Sequence, residues 1–375
     1  MSKIVMFLLF LVAFSNQLMA MEEGKVRILA IDGGGIKGIL PSVILKQLEL
    51  SLQKLNSSAR IAEYFDVVAG TSTGGLIAAL LTAPDPQNKD RPLYSADDIL
   101  QFYRQHGPSI FTEDPKCLHG LICPKFNGTY LRKIAAEILN ETLVSQTTTN
   151  VVISSFDIKL LQPAIFSTLK VKDVPHLNVK LSDACIGTSA APTEFPPYYF
   201  KYQNTEFNLV DGLNIASLPA RLAIGEVLRQ EEYKNREVFL VSIGTGSVNS
   251  TTAGFDANRT WTAEDWSYHT LTMILAASSA MNEYYINSTF KLQPENYLRI
   301  QEYNIDANIK SDDASEENMQ KLEEAGNNLL KEPIKRMNVD TFVPEETGEG
   351  TNTEALDRVA QILHEEKLRR LGKST

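Results

Sequence analysis

Residues 65–81 read FDVVAGTSTGGLIAALL, and a strand signal, a turn signal and a helix signal meet in them. The apolar, β-branched run Phe65 to Ala69 has the composition of a buried strand. Gly70-Thr71-Ser72-Thr73-Gly74 is a tight glycine turn carrying a serine, and Leu76 to Leu81 is a helix-forming apolar stretch. Strand, turn and helix in that order give G-x-S-x-G the context of a nucleophile elbow. Gly70 and Gly74 permit a strained turn and a close approach of substrate to backbone. The helix N-terminus behind Ser72 places N–H groups and positive partial charge where an oxyanion would form. Without that context the pattern is a small-residue turn packing a strand on a helix. With it, Ser72 is the candidate nucleophile.

Upstream, the same order recurs. Val26 to Ile31 (VRILAI) reads as a buried strand, Asp32-Gly33-Gly34-Gly35-Ile36-Lys37-Gly38 as a turn, and Ile39 to Leu55 as a helix. Gly33, Gly35 and Gly38 match the G-x-G-x-x-G of dinucleotide sites. Such sites also need an acidic ribose-binding residue after a second strand, and here that strand ends in a serine elbow instead. The loop is better used as a row of backbone N–H groups forming an oxyanion hole. Lys37 is a candidate for touching a lipid phosphate or orienting the loop, set against an ordinary surface lysine.

Downstream, Ser95-Ala96-Asp97-Asp98 resembles a capping box opening a helix through Tyr103. Val151 to Phe156, Phe207 to Val210 and Val238 to Ile243 are strand-like, and a helix is expected from Ser217 and Pro219 to about Arg229. This alternation predicts an α/β fold: a mostly parallel central sheet flanked by helices, with ligands beyond the strands' carboxyl ends. After about Glu302 the chain turns polar and acidic. A helix is expected at Glu316–Leu330, a linker at Glu345–Thr353 and a last helix at Glu354–Leu371. The expected organisation is a signal peptide at 1–20, an α/β catalytic domain at 21–301, and an acidic helical C-terminal region at 302–375 packed on it.

Lys3, the apolar run Ile4 to Phe14 and the small-residue site ending at Ala20 have the order of a secretory signal. No later stretch is long and apolar enough for a transmembrane segment. Passage through the secretory pathway to the vacuole or the extracellular space is therefore expected. N-x-[ST] sequons at Asn56, Asn127, Asn140, Asn249, Asn258 and Asn287 fit that route as glycosylation candidates. Cys117 and Cys123 are close enough to pair in an oxidising compartment, while Cys185 reads as a buried free thiol. A formal net charge of −10 argues against a nucleic-acid partner and against tight binding to anionic membranes. No Cys/His cluster has zinc-ligand spacing, and neither metal nor organic cofactor is expected.

A serine nucleophile needs a base. Asp211-Gly212 follows the apolar run Leu209-Val210 at the carboxyl end of a strand and is the natural candidate. Of the histidines, His269 completes the chain order Ser72, Asp211, His269 of an α/β-hydrolase triad, but it belongs to no motif and precedes an apolar helical stretch.

The glycine-rich D-G-G-G-x-K-G loop, the G-T-S-T-G elbow and the later D-G turn, in that order, resemble the patatin-like lipid acyl hydrolases of plants. The block Asp183 to Pro192 (DACIGTSAAP) is similar to one of that family too. The resemblance covers nearly the whole mature chain. It implies a Ser-Asp dyad without histidine, with Ser72 as nucleophile, Asp211 as base, and Gly34 and Gly35 donating to the oxyanion. Leu213 departs from the family, which usually has Gly or Ala after D-G, and its larger side chain is expected to narrow the pocket. The implied activity is hydrolysis of fatty acyl esters of membrane lipids, phospholipids and galactolipids, in a defence or storage role. The competing readings are a vacuolar storage glycoprotein with incidental esterase activity and a hydrolase using His269.

Overall fold

The computed structural model describes residues 24–120, 122–214, 218–247, 257–258 and 260–372. The expected signal peptide, the helix start at Ser217 and the sequon at Asn249 lie outside the described residues.

The chain begins with β1 (Lys25–Ile31), α1 (Ile39–Leu55), β2 (Val67–Thr71) and α2 (Thr73–Thr82), followed by a small hairpin, β3 (Pro84–Asp85) and β4 (Asn88–Pro92). Next come α3 (Ala96–Ile110), α4 (Thr129–Leu139), β5 (Asn150–Asp157), β6 (Gln162–Ser167), α5 (Leu181–Thr188), β7 (Tyr198–Tyr202) and β8 (Thr205–Asp211). The remainder is α6 (Pro219–Leu228), β9 (Glu237–Ile243), α7 (Ala263–Thr289), β10 (Tyr297–Ile300), α8 (Glu316–Leu329), β11 (Pro333–Met337), β12 (Pro344–Thr351) and α9 (Asn352–Arg370).

Strands β10, β9, β1, β2 and β5 lie side by side and parallel. Ile31 pairs with both Gly70 and Ile243, so β1, β2 and β9 end almost level. Side chains on β1 alternate between two cores. Leu29 and Ile31 join one cluster with α1, α2 and α3, while Val26, Ile28 and Ala30 join another with α6. Burial on both faces explains why β1 reads as an unbroken apolar run.

The sheet changes character at β5. One edge of β5 carries β6, antiparallel, from Val152 to Asp157. The other edge is shared: β2 pairs with it as far as Ser154, and β8 takes over, antiparallel, from Ser155. Strand β8 therefore approaches from beyond the carboxyl rim and stops end-on against β2. Asp211 closes a strand as expected, but that strand runs against the parallel set.

Two expectations are corrected. Glu345–Thr353 is not a linker, because most of it is β12, paired with β11 from Pro333↔Thr351 to Met337↔Pro344. Its Gly, Thr and Glu residues hid a strand held by backbone pairing. Helix α3 opens on the expected capping box, Ser95 with Asp98, but continues past Tyr103 to Ile110 because Gly107 and Ile110 are buried. The C-terminal helices pack on α1, with Met319, Leu322, Leu356, Val359 and Leu363 in the same core as Ile44 and Leu48. No helix among the described residues is long and apolar enough to cross a membrane.

Candidate active site

Ser72 stands between β2 and α2 with φ 55° and ψ −127°, a region a side-chain-bearing residue enters only under constraint. The constraint is the crossing of α2 over the strand ends. A Cβ on Gly70 would lie 2.0 Å from the Gly74 carbonyl oxygen, and one on Gly74 would lie 2.0 Å from that of Ile31. Glycine at both places lets the turn close and lifts the serine onto the carboxyl rim.

Asp211 meets it there. Ser72 Oγ donates to Asp211 Oδ2 at 2.6 Å, and the Leu213 N–H donates to Asp211 Oδ1 at 2.8 Å. Ser72 is 8% exposed and Asp211 2%. Burial pushes the Asp211 carboxyl up to about 7, against the lowering pull of the Ser72 hydroxyl and the Leu213 amide. The turn is braced from below. Ser72 N–H donates to Thr188 Oγ1 at 2.8 Å, and that hydroxyl donates to the Ser154 carbonyl. Asp211 N–H donates to the Ala190 carbonyl at 2.9 Å. Thr188 and Ala190 belong to the DACIGTSAAP block, which thus positions both members of the pair.

The glycine loop forms the opposite wall. Gly34 and Gly35 line the same cavity as Ser72. Asp32 N–H donates to the Ile243 carbonyl at 3.0 Å, Thr245 Oγ1 donates to that of Gly33 at 2.6 Å, and Ile36 N–H donates to that of Ser311 at 2.8 Å. No described residue accepts from the N–H of Gly34 or Gly35. Asp32 also receives Arg299 Nη2 at 2.7 Å, and Arg299 reaches Ser242 Oγ at 2.9 Å and Glu283 Oε1 at 3.3 Å. Arg299 is a support that sequence reasoning missed, since an isolated arginine in YLRI carries no motif. Lys37 is half-buried, its ammonium held low by burial, and is not among the cavity-lining residues. Gly38 packs against Thr73 and Tyr103, and Gly212 against the Ser154 carbonyl.

The cavity is about 120 Å³, with mainly apolar walls that include Leu76, Tyr103, Ile110, Phe111, Leu131, Phe195 and Leu213. Leu213 stands in that wall as its departure from the family pattern leads one to expect. Among the described residues no histidine lines it. His269 sits on α7 with its ring 5.7 Å from that of Trp261, and Asp211 faces Ser72 directly. Ser72 and Asp211 are thus in direct contact, and His269 does not line their cavity.

Among the sequons, Asn127, Asn140 and Asn258 are exposed and Asn56 is half-buried. Asn287 donates from Nδ2 to the Glu283 carbonyl at 2.9 Å, and its Oδ1 is buried. Cys117 and Cys123 form a disulfide, and Cys185 is free and buried.

A mostly parallel α/β sheet thus brings a serine turn, an aspartate across the rim and a glycine loop to one cavity. Comparison with known proteins identifies the family. Residues 29–224 match the family model described as patatin-like phospholipase, and the chain belongs to that family. Over the full length it is 40% identical to Patatin-05 of Solanum tuberosum, covering 100% of this chain and 99% of the relative. It is 42% identical to Patatin-like protein 1 of Arabidopsis thaliana, covering 93% of this chain and 92% of that one. Among solved structures, VipD from Legionella pneumophila aligns over 94% of this chain and 77% of its own at 14% identity, with a TM-score of 0.29. The family supports lipid hydrolase activity.

Proposed function

We propose that this protein hydrolyses fatty acyl esters of membrane lipids through a serine acyl-enzyme, with Asp211 as the base. The observation that carries the reading is the direct 2.6 Å hydrogen bond from Ser72 Oγ to a buried Asp211 carboxylate. A serine hydroxyl is a weak nucleophile until a neighbour takes its proton. A carboxylate near its ordinary pKa is a poor acceptor, and burial to about 7 makes Asp211 a far better one.

In this reading Ser72 Oγ attacks the ester carbonyl as its proton passes to Asp211 Oδ2. The N–H groups of Gly34 and Gly35 receive the oxyanion. Asp211 then returns the proton to the departing alcohol oxygen as the C–O bond breaks. A water molecule, deprotonated by Asp211, attacks the acyl-enzyme, and the fatty acid leaves as Ser72 regains its proton. The apolar walls suit an acyl chain.

We also propose passage through the secretory pathway, supported by the N-terminal signal pattern, the exposed sequons and the Cys117–Cys123 disulfide. A fluorophosphonate probe tests the catalytic reading. It should label Ser72 in the wild type and lose that label in Asp211→Asn. Labelling elsewhere, or none, would overturn the assignment.

A further inference from the structure

Burial divides the 27-residue helix α7 in two. Asn282, Glu283 and Ile286 near its end are buried, whereas none of the described side chains from Ala263 to Met281 is. The sheet shows where the exposed part points. Glu283 meets Arg299, which also holds Asp32 just past the carboxyl end of β1. Phe290, after the helix, stacks at 5.3 Å on Tyr297, the first residue of β10. The helix therefore descends from the carboxyl rim towards the amino ends of the strands. Its residues before Glu283 project past the rim that carries Ser72. At about 1.5 Å per residue, Trp266 stands about 26 Å ahead of Glu283 along the helix.

What projects is apolar and uncharged. Residues 266–282 hold no Asp, Glu, Lys or Arg, in a chain that is 22% charged, so the lack of charge belongs to this helix. Trp266, Ile274, Met281 and Tyr284 are all exposed, Ile274 by 57%. At about 100° per residue they fall within about 80° of one another, and the first-turn charges of Glu264 and Asp265 fall outside that stripe. Phe342, in the turn between β11 and β12, stacks on Tyr284 and widens the stripe together with Val343. Both tryptophans of the chain, Trp261 and Trp266, stand at the outer end with their rings 4.9 Å apart.

We propose that this stripe of α7 seats the enzyme on a lipid bilayer of zero net charge, holding the rim of Ser72 beside the surface. The inference rests on the proposed acyl hydrolase reading for its choice of occupant and adds the face by which the enzyme meets its substrate. A continuous apolar strip open to water marks an interaction site. Its chemistry selects the partner. The stripe offers no cation to an anionic headgroup, and the net charge of −10 repels an anionic surface. Trp266 and Tyr284, near the two ends, are side chains of the kind that settle at headgroup depth, with Ile274 and Met281 between them for the acyl boundary. No helix among the described residues can cross a membrane, so α7 lies on the bilayer and does not span it.

The test uses the full-length protein and vesicles of a diether phosphatidylcholine, which has no acyl ester to cleave. Tryptophan emission should move to shorter wavelength on binding and be quenched by bromine on the lipid chains, because both tryptophans stand on the proposed face. Ile274→Glu should weaken partition, read by co-sedimentation, at least about tenfold, since a charge replaces an inserted apolar side chain. Trp266→Ala should weaken it too, and decides the matter if Ile274→Glu does not fold by circular dichroism. Leu292→Ser is the control, because Leu292 is 93% exposed but lies between Phe290 and Tyr297 on the amino side of the sheet. It should leave partition within about twofold. Adding phosphatidylglycerol should not tighten binding. Absence of vesicle binding would overturn the inference, as would binding that needs phosphatidylglycerol, that neither stripe variant weakens, or that all the variants weaken alike. Self-association that Ile274→Glu abolishes, in place of vesicle binding, would also overturn it and assign the stripe to a second copy of the chain. A fluorophosphonate label on Ser72 without vesicle binding defeats this inference alone. An unlabelled Ser72 defeats the hydrolase reading whatever the vesicles show.

Discussion

Replacing Asp211 by asparagine should destroy activity and, at neutral pH and above, make the protein more stable. The carboxyl is 2% exposed, and burial lifts it from the ordinary 3.8 to about 7. One pKa unit is worth about 1.4 kcal/mol, so that rise corresponds to about 4 kcal/mol. The sign follows from where the proton is held more tightly. The folded chain keeps it up to about pH 7, while the unfolded chain releases it near pH 3.8. Wild-type stability therefore falls as pH rises from about 4 through about 7. Asparagine has no charge to bury. Its amide can donate to Ser72 Oγ and its carbonyl can accept from Leu213 N–H, so the hydrogen bonds of the site survive the exchange. With an unfolding entropy of about 0.7 kcal/mol/K for roughly 350 residues, about 4 kcal/mol is about 6 °C in Tm. Thermal or urea unfolding of both proteins across about pH 4 to 8 reads the effect. The Asn variant should match the wild type at the acid end and exceed it at the alkaline end. Equal stability at the alkaline end, or a gap independent of pH, would refute the argument that Asp211 is ionised against its surroundings.

Further outcomes are expected from the same geometry. With a short-chain ester, kcat/KM should rise about tenfold per pH unit below about pH 7 and level off above it, because only ionised Asp211 accepts the serine proton. An inflection near pH 4 would contradict this. Asp211→Asn should lower turnover as severely as Ser72→Ala, whereas His269→Ala should retain it, measured at saturating substrate with folding checked by circular dichroism. Gly35→Ala should cost about a hundredfold or more in kcat. Gly35 sits at φ +60°, and a Cβ there would lie 2.2 Å from the Ser311 carbonyl oxygen, displacing the loop. Peptide mapping of protein from its native source should find glycans at the exposed Asn127, Asn140 and Asn258 but not at Asn287, whose side-chain amide is turned into the fold.

Features encoded locally were legible in the sequence. Ile39–Leu55 is a helix with the bounds its apolar spacing predicts, and Ser95 caps α3 through Asp98. The elbow and the glycine loop were readable because backbone crowding leaves glycine little competition at Gly70 and Gly74. What needed the fold was direction and company. Leu209-Val210 looks the same in a parallel or an antiparallel strand, so the reversal of β8 was hidden. The walls formed by Tyr103, Leu131 and Phe195 come from separate elements, and their helical or loop patterns say only that they are buried. Asp32 was visible as a motif residue, but its Arg299 partner lies far along the chain and joins it through sheet pairing.

The end-on meeting of β2 and β8 along one edge of β5 sets Ser72 and Asp211 on a seam between two kinds of architecture. Thr71, just before Ser72, and Asp211 are gauged by adjacent residues, Ser154 and Ser155, which act as a two-notch ruler. A slip of the antiparallel lobe against the parallel one would shift Asp211 relative to Ser72. Amide exchange at Val210, which pairs with Phe156 across β5 and β8, thus becomes a gauge of whether the two halves are joined. A break in that ladder would part Asp211 from Ser72 while leaving Leu76, Tyr103, Ile110 and Leu131, which come from α2, α3 and α4, where they stand.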